Sequence, residues 1–303
     1  MALATGANHT AQRAEPPQRP PRRVLVWART DRRDANAAAA QACEWLAERG
    51  VEVLRAPAGD TPGTLSSASG AAMLARADLA LIFGGDGAVV SAARRSAPWG
   101  TPVIGVNYGT FGFLALIEAN ELHAGLEALL AGDYEVDQRL MLAAGIGNAS
   151  RYVAANDVVI HAAEPGRMLE LVVRLGDEPV VDLPADGLIL ATPTGSTAYN
   201  LSAGGPVVMP TLAAMVMTPI CPHTLAARPL LLGGESQLSI EVLARPRLSQ
   251  RAIVTLDGQI SFDLEPGVKL HVCQAESTMP FVRLRRDTFF ASLRGKLGWG
   301  RPK

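Results

Sequence analysis

A glycine turn with one carboxylate, Gly84-Gly85-Asp86-Gly87, separates the apolar run DLALIF from the helix-like run GAVVSAARRSA. Strand, turn and helix in this order place the turn at the carboxyl edge of a parallel sheet, where open α/β sheets bind ligands. Glycines let the backbone approach phosphate oxygens, and the N–H groups of the following helix favour anions. Asp86 among phosphates indicates a general base, a Mg²⁺ contact or both. A tight turn capped by an aspartate accounts for the motif equally well.

A second polar pair, Asn156 and Asp157, begins the β-like run NDVVIH. Alternation along a strand turns one of the two side chains inward. An amide beside a carboxylate can hydrogen-bond ribose hydroxyls or an adenine edge. An Asx turn before a strand is the alternative, and for the pair taken alone it is the favoured interpretation.

The most unusual segment runs from Asp186 to Pro206, DGLILATPTGSTAYNLSAGGP, and is dense in hydroxyls, Gly and Pro. Its hydroxyl groups supply donors and acceptors around a glycine that allows close approach, and Tyr199 offers a flat face for a base. A serine nucleophile is the alternative, but no GxSxG turn surrounds these serines.

Several classes of protein are disfavoured by what the sequence lacks. There is no GxxxxGK[ST], which excludes a P-loop enzyme, and no GxGxxG after a strand, which argues against a dehydrogenase. A net charge of −1 indicates neither a nucleic-acid partner nor a membrane surface. Three widely spaced cysteines favour a reducing compartment, and the first segment lacks a signal-like apolar core. We therefore expect a cytoplasmic protein.

The elements that must position these motifs change in character along the chain. Residues 23–135 alternate strand-like and helix-like runs, which predicts an open, Rossmann-like α/β domain carrying GGDG. Residues 136–284 contain short β-like runs separated by turn residues, which predicts a second, mostly β domain. Residues 285–303 predict a C-terminal helix that packs back on the body, and the Pro- and Arg-rich residues 1–22 predict a disordered tail.

The sequence resembles the NAD kinase family from Arg23 to Trp299. The resemblance rests on ADGLILATPTGSTAYNLSAGGPVV and MTPICPHTLAARPL, with GGDG, the Asn-Asp pair, TLDGQ and FFASLRGKLGW in the family's order. It implies an α/β domain followed by a β-sandwich, with NAD in the crevice between them. It also implies phosphoryl transfer from ATP or polyphosphate to the 2′-hydroxyl of the adenosine ribose of NAD.

The resemblance further assigns roles to individual residues. It makes Asp86 the proton acceptor, places the neighbouring glycines on phosphates, and places Asn156 and Asp157 on the nucleoside. It implies Mg²⁺ as the divalent cation and a homodimer or homotetramer. The apolar, Pro-rich composition of PICPHTL makes that segment a candidate for the subunit contact. The nucleotide-binding residues so implied are Gly84, Gly85, Asp86, Gly87, Asn156, Asp157, Arg167, Asp186, Thr197, Ala198, Tyr199, Asn200, Leu201, Ser202 and Gln259.

Three positions depart from the family's common pattern. Ala88 stands where GGDG is commonly followed by Thr, Asp157 where Glu is common, and Pro184 where many relatives carry Arg or Lys. Two alternative functions stay open at this point. One is another GGDG-type kinase acting on a lipid or sugar, and the other is a catalytically silent NAD(P)-binding sensor, which the loss of the Thr hydroxyl at Ala88 favours.

Overall fold

The computed structural model describes residues 19–28, 31–55, 68–109, 112–114, 116–147, 152–164, 167–244, 251–285, 289–298 and 300. Most of the predicted tail, residues 1–18, lies outside these ranges. Residues 19–22, at its end, contact the body: the Tyr134 hydroxyl donates to the Arg19 carbonyl at 3.0 Å, and the Arg22 N–H donates to Asp78 at 3.0 Å.

The helices form where apolar residues recur every three to four positions. In the first helix Ala35, Ala38, Ala42 and Leu46 are buried along one face. None of the helices in the described ranges is both long enough and apolar enough to cross a membrane. In the described residues the α-helices are α1 (Arg33–Glu48), α2 (Ala68–Arg76), α3 (Asp86–Ser96), α4 (Leu122–Ala131), α5 (Tyr199–Ser202) and α6 (Phe289–Leu297), with 3₁₀ turns at Ala97–Trp99, Ala119–Glu121 and Thr194–Thr197.

The strands are short. Several in the second half of the chain, such as Leu169–Leu175 and Leu238–Val242, alternate between buried and partly exposed positions, whereas central strands are buried almost throughout. All six residues of the strand before the glycine turn are buried, as expected for a parallel strand covered on both faces. In the described residues the strands are β1 (Arg23–Ala28), β2 (Glu52–Arg55), β3 (Leu79–Gly84), β4 (Val103–Asn107), β5 (Ile117–Glu118), β6 (Tyr134–Arg139), β7 (Leu142–Ile146), β8 (Tyr152–Ala154), β9 (Asp157–Ala162), β10 (Leu169–Leu175), β11 (Glu178–Ala185), β12 (Gly187–Ala191), β13 (Ala214–Ile220), β14 (Leu230–Gly233), β15 (Leu238–Val242), β16 (Ala252–Leu256), β17 (Ile260–Leu264), β18 (Lys269–Gln274) and β19 (Met279–Leu284).

The first sheet has the order β2-β1-β3-β4-β19-β6, with β5 beside β4, and its strands β1 to β5 are parallel. One apolar core lies between the sheet and helices α1 and α4, and a second core on the other face includes α3. The order reverses between β1 and β3, so the turn after β3 lies beside the switch point where such sheets bind ligands.

Two antiparallel sheets, β11-β10-β15-β18-β7-β8 and β14-β13-β12-β9-β16-β17, pack face to face. They share one core in which Leu171 and Ile240 of one sheet meet Ile160 and Leu190 of the other. This is a β-sandwich, as the resemblance implied. The predicted architecture, an α/β domain followed by a β-sandwich and a C-terminal helix, is confirmed.

The sheets do not follow the predicted limits at residues 135 and 284. Strands β6 and β19 pair antiparallel with each other and complete the first sheet, with Phe281 opposite Val103 of β4. The sequence analysis identified the β-like pattern of β6 but missed that of β19. A strand pattern also does not indicate which sheet the strand joins. Helix α6 packs back on the body through buried Leu293 and an ion pair of Lys296 with Glu118.

Candidate active site

The glycine turn joins the carboxyl end of β3 to the first turn of α3. Gly84 ends the strand, Gly85 precedes the helix in extended geometry (φ −90°, ψ −178°), and Asp86 is the first helical residue. The first N–H groups of a helix lack partners within it and attract negative charge. A Cβ atom at the exposed Gly87 would meet nothing within 4 Å. The turn therefore presents backbone donors and one carboxylate at an open edge of the sheet.

The carboxylate of Asp86 is oriented by a neighbouring segment. The Phe113 N–H donates to Oδ2 at 3.0 Å and the Leu114 N–H donates to Oδ1 at 2.9 Å. A carboxylate has about four acceptor positions, so two backbone donors leave it capacity for a further partner. Sequence reasoning identified Asp86 but not Phe113 or Leu114, because nothing in their pattern indicates that their N–H groups are donors to a residue 27 positions away.

The segment that holds Asp86 is itself anchored at the end of β4. The Asn107 side chain accepts from the Gly109 N–H at 2.9 Å and donates to Glu118 at 3.0 Å. Glu118 also pairs with Lys296 of α6. The C-terminal helix thus supports the loop that fixes the orientation of Asp86.

The hairpin between β16 and β17 supplies a buried carboxylate that sequence reasoning did not single out. Asp257 has a left-handed backbone (φ 51°), and its side chain is 0% exposed. It accepts from three successive N–H groups, those of Ala155 at 3.0 Å, Asn156 at 2.7 Å and Asp157 at 3.2 Å. The TLDGQ motif was the available signal, but only its Gln259 was assigned to the site.

Helix α3 is joined to this hairpin by side chains. Arg94 donates to Asp257 at 3.3 Å and to Gln259 at 2.9 Å, and Gln259 donates to the Gly87 carbonyl at 3.4 Å. Gln259 therefore bridges the glycine turn and the sandwich. The helix that begins with Asp86 and the hairpin that supports the Asn-Asp pair form one connected structure.

Asp157 lies at the floor of the site, only 5% exposed. Burial, together with the neighbouring Asp257 carboxylate, raises the pKa of Asp157 to about 7. Burial also raises the pKa of Asp257, against the lowering effect of its backbone donors and of Arg94. The buried Oδ1 atom of Asn156 has no hydrogen-bond partner among the described residues. The pair therefore offers a ligand one amide oxygen and one carboxyl group that titrates near neutrality.

The hydroxyl-rich segment after β12 is held largely by its own side chains. The Thr192 hydroxyl donates to the Ala155 carbonyl at 2.7 Å and accepts from the Gly195 N–H at 3.0 Å. The Ser196 hydroxyl donates to the Pro193 carbonyl at 2.6 Å. A Cβ atom at Gly195 would come within 2.0 Å of the Asn156 carbonyl oxygen, so only glycine fits against the Asn-Asp pair there.

Asn200 has a structural position in this segment. Its amide donates to the Ser196 and Pro206 carbonyls at 3.0 and 3.1 Å, and its oxygen accepts from the Thr218 hydroxyl at 2.7 Å. Both Asn200 and Thr218 are fully buried. The side chain holds the loop against β13, and its contact with the nucleotide stays a prediction.

A cavity of about 680 Å³ lies on one side of the hydroxyl-rich segment. Two exposed contacts involve its lining residues: Arg167 Nε lies 3.3 Å from Glu164 Oε2, and His223 Nε2 lies 3.6 Å from Asp186 Oδ1. The cavity brings together six residues predicted for the site, which are Asn156, Asp157, Arg167, Asp186, Ala198 and Tyr199, and adds His161, Thr255 and Asp257.

A second cavity, of about 350 Å³, lies on the other side of the segment. Phe113 and Leu114, whose N–H groups hold Asp86, form part of its wall together with Thr197. The buried Thr194 Oγ1 and Arg139 Nε atoms in this wall have no hydrogen-bond partner among the described residues. Buried polar atoms are normally satisfied, so these two are available to a ligand.

The predicted residues thus divide into three groups. Six line the larger cavity, and Thr197 lines the smaller one. The turn of Gly84 to Gly87 and Gln259 belong to the connection between α3 and the hairpin. Asn200, Leu201 and Ser202 line neither cavity in the described residues, and Ser202 is exposed.

Comparison with known proteins identifies the family. The family model for the ATP-NAD kinase N-terminal domain matches residues 24–134, and that for the C-terminal domain matches residues 155–284. The chain is 37% identical to the NAD kinase of Syntrophotalea carbinolica over 285 residues, which covers 92% of this chain and 99% of that protein. It is 42% identical to the NAD kinase of Heliobacterium modesticaldum over 233 residues, 75% of this chain and 81% of that protein.

Solved structures show the same fold. The yeast NADH kinase complexed with NADH superposes with a TM-score of 0.77 at 24% identity, covering 95% of this chain and 90% of that one. An NAD kinase from Archaeoglobus fulgidus in complex with ATP gives 0.72 at 24% identity, covering 91% and 98%. The family predicted from the motifs is confirmed by the two domain matches. This chain belongs to the NAD kinase family.

Proposed function

We propose that Asp86 accepts the proton of the adenosine ribose 2′-hydroxyl while a phosphoryl group passes from ATP or inorganic polyphosphate to that oxygen. As a member of the NAD kinase family, the chain is a kinase that phosphorylates NAD. The observation that carries the proposal is the placement of Asp86: it stands at the N-terminus of α3, held by two backbone N–H groups and joined to the Asn-Asp pair through the hairpin.

We place the adenosine half of NAD in the smaller cavity. The reacting hydroxyl belongs to the adenosine ribose, so the base must lie within a sugar's length of Asp86. The residues that hold Asp86, Phe113 and Leu114, form the wall of that cavity, and Phe113 offers an aromatic face for stacking. The unpartnered Thr194 hydroxyl supplies a polar contact to the base.

The remainder of the dinucleotide extends past the hydroxyl-rich segment into the larger cavity. There Asn156 and Asp157 bind sugar hydroxyls, and Arg167 attracts the diphosphate. Asp186, Ala198 and Tyr199 complete this wall. We expect Leu201, Ser202 and the buried Asn200 to act by holding the segment in place.

Mg²⁺ fits the site as a cation carried by the donor's phosphates. Among the described residues no group of three or more His, Cys, Asp or Glu side chains could hold a metal. Mg²⁺ commonly binds through one or two carboxylates together with substrate phosphates. Asp86 is the carboxylate that would contact it, beside the backbone donors of the turn. When bound, the cation neutralises charge on the transferring phosphoryl group.

The protein's own groups act by alignment and proton transfer. The ribose oxygen forms a bond to phosphorus as the bond from phosphorus to the donor's leaving oxygen breaks, and the hydroxyl proton moves to Asp86. The N–H groups of Gly85, Gly87 and the first turn of α3 stabilise the phosphate oxygens. Holding the reactants in line contributes most of the rate.

Assembly as a homodimer or homotetramer and a cytoplasmic location are also proposed. Leu225 is 93% exposed, and Leu230 and Leu231 of the edge strand β14 are exposed close by in sequence. Leu225 is the last residue of the PICPHTL segment predicted to form a subunit contact, and Leu230 and Leu231 follow that segment. An exposed apolar patch of this kind is typical of an interface between subunits. The molar mass in solution, measured by light scattering, would distinguish two chains from four.

Replacing Asp86 with Asn tests the proton acceptor. An amide keeps the size of the side chain but cannot accept the proton, so we expect the kcat for NADP formation to fall by about 100-fold or more. The dissociation constant for NAD, measured by calorimetry, should change much less. Asp263→Asn, at an exposed carboxylate paired with Arg251, is the matched control and should retain activity. Full activity of Asp86→Asn would overturn the assignment.

The two alternative functions receive different support. Matches to both NAD kinase domain models leave the lipid or sugar kinase without a supporting observation. The silent sensor predicts NAD binding without NADP formation for any donor. An assay of ATP and polyphosphate against NAD and NADH, with Mg²⁺ present, distinguishes the sensor from the enzyme.

A further inference from the structure

Asp257 is the most enclosed carboxylate in the site, and the mechanism above gives it no role. The residue borders the larger cavity, but its side chain is 0% exposed, so the carboxylate itself does not reach substrate. We propose that Asp257, held by Arg94, is a positioning residue that sets the Asn156-Asp157 pair relative to the helix carrying Asp86. This inference rests on the proposed function.

The first step of the argument is the backbone around the carboxylate. Three consecutive N–H groups, from Ala155, Asn156 and Asp157, converge on the two oxygens of Asp257. Ala155 and Asn156 precede β9, so the N–H groups of these two residues lie outside the strand pairing. In return, the Asp257 N–H donates to the Asp157 carbonyl at 3.0 Å. These four hydrogen bonds fix the N–H side of the backbone from which the Asn156 and Asp157 side chains project, while Thr192 holds the Ala155 and Asn156 carbonyl groups.

The second step is the strain that the hairpin accepts to make these bonds. Asp257 has φ 51° and Gly258 has φ 62°, so a residue with a side chain occupies the left-handed region. Asp tolerates this geometry better than most residues do, yet Gly or Asn would serve a turn as well. The turn itself therefore does not require a carboxylate at this position. The three backbone N–H donors require one.

The third step is the link to Asp86. Arg94 is one side chain with two acceptors, Asp257 at 3.3 Å and Gln259 at 2.9 Å, and it is only 11% exposed. It lies eight residues after Asp86 on the same helix, about 12 Å along a rigid axis. Gln259 adds a contact at the start of that helix, to the Gly87 carbonyl. The carboxylate thus connects the acceptor side of the site to the helix that carries the base.

Asp257→Asn is the principal variant. An amide has one acceptor oxygen in place of two. Its NH₂ group would face either the Ala155 N–H and the Arg94 guanidinium, which share Oδ2, or the Asn156 and Asp157 N–H groups, which share Oδ1. We expect the KM for NAD to rise about tenfold and kcat at saturating NAD to fall by about 10- to 100-fold, because misplacement by about 1 Å costs that much. Arg94→Met should act in the same direction. Arg94→Lys keeps the positive charge but lacks the two-pronged guanidinium group, so we expect its activity to lie between that of Arg94→Met and that of the unmodified chain.

Thr101→Val is a matched control for destabilisation. Thr101 is buried, and its hydroxyl donates to the Leu74 carbonyl at 2.6 Å. In the described part of the chain neither of these two residues hydrogen-bonds to the hairpin or to the glycine turn. All variants are compared well below their melting temperatures, per folded molecule. If the role of Asp257 were purely structural, Asp257→Asn would behave like Thr101→Val. Its melting temperature would fall, and its kcat and its KM for NAD would stay within about twofold of those of the unmodified chain. That result would overturn the proposal.

Two further measurements keep the inference separate from the proposed function. The double variant Arg94→Met/Asp257→Asn should have a kcat/KM no lower than that of the more impaired single variant, because both substitutions remove the same connection. Additive losses would contradict the proposal.

The dissociation constant for NAD, measured by calorimetry without a donor, requires no turnover. If the unmodified chain binds NAD but makes no NADP, the proposed function fails, and about tenfold weaker binding by Asp257→Asn would still support positioning of the pair. Unchanged binding would refute it. Where Asp257→Asn does not fold, Arg94→Lys and Arg94→Met carry the same comparison.

Discussion

The two glycine-containing loops of the site are stabilised in opposite ways. The turn Gly84–Gly87 has few bonds of its own, and its carboxylate is oriented from outside by the N–H groups of Phe113 and Leu114. The segment 192–205 is held by its own hydroxyl and amide groups, with Ser196 and Asn200 bonded inside it. The first loop is therefore open to phosphates, whereas most of the second is committed to a shape. The hydroxyl groups of a motif near a ligand can therefore stabilise the loop itself as well as contact the ligand.

The largest effect that would sharpen this comparison is expected at Gly195. In Gly195→Ala the new methyl group would lie 2.0 Å from the Asn156 carbonyl oxygen, which is backbone and cannot move alone. We expect the free energy of unfolding to fall by more than about 3 kcal/mol, with loss of activity in what remains folded. In Gly87→Ala the methyl group meets nothing within 4 Å, so thermal unfolding should show stability unchanged or slightly raised. Equal losses in the two variants would contradict the contrast between the loops.

The next effect is expected at Asn200. Asn200→Ala removes three buried hydrogen bonds and leaves the Thr218 hydroxyl without its acceptor. We expect a loss of about 2–3 kcal/mol in the free energy of unfolding, measured in urea, and a raised KM for NAD although the side chain lines neither cavity. The exposed Ser202 provides the comparison: Ser202→Ala should stay within about 0.5 kcal/mol. If Asn200→Ala changed KM alone, direct contact with the nucleotide would be the better interpretation.

The smallest of the three effects distinguishes the two carboxylates associated with these loops. Asp86 is half-buried at the open turn, whereas Asp157 is buried beneath the second loop, where burial raises its pKa from 3.8 to about 7. A pKa that is higher in the folded state means tighter proton binding there, so ionisation of Asp157 lowers stability as the pH rises from about 4 to about 7. Asp157→Asn removes this penalty.

We therefore expect Asp157→Asn to gain about 1–2 kcal/mol relative to the unmodified chain between about pH 5 and pH 8, measured by urea unfolding at each pH. Asp263→Asn, at an exposed carboxylate, is the control and should show no such trend. Parallel pH profiles for Asp157→Asn and the unmodified chain would show that the raised pKa does not affect folding.

Much of the fold was readable from local patterns. The alternation of DLALIF, the glycine turn and GAVVSAARRSA predicted β3, the turn and α3 as the structure has them. Strand β19 was missed, and the sheet to which β6 belongs was not foreseen, because both depend on pairing between segments some 140 residues apart. Strand β13, AMVMTPI, was also missed, and only its last two residues belong to the PICPHTL segment considered for a subunit contact.

In the site, the sequence identified residues wherever the chemistry requires one type of side chain. It did not indicate how those side chains are oriented. Asp86 and the Asn-Asp pair were found from their neighbours in sequence. The donors to Asp86 are backbone N–H groups of Phe113 and Leu114, which any residue other than proline supplies, so the sequence carries no signal for them. Asn200 has the polarity of a ligand contact, but its amide is buried among carbonyl groups of its own loop.

The sequence by itself determined the family, the order of the elements and the chemical groups present, because these depend on local pattern and on side-chain type. Only the tertiary structure decided which groups meet. Arg94 precedes Asn156 in the sequence by more than 60 positions, and Asp257 follows it by more than 60. The packing of α3 against the β16–β17 hairpin brings Arg94 and the Asn156 backbone within hydrogen-bonding distance of Asp257. Hydrogen bonds act over about 3 Å, whereas sequence pattern reports only on neighbours along the chain.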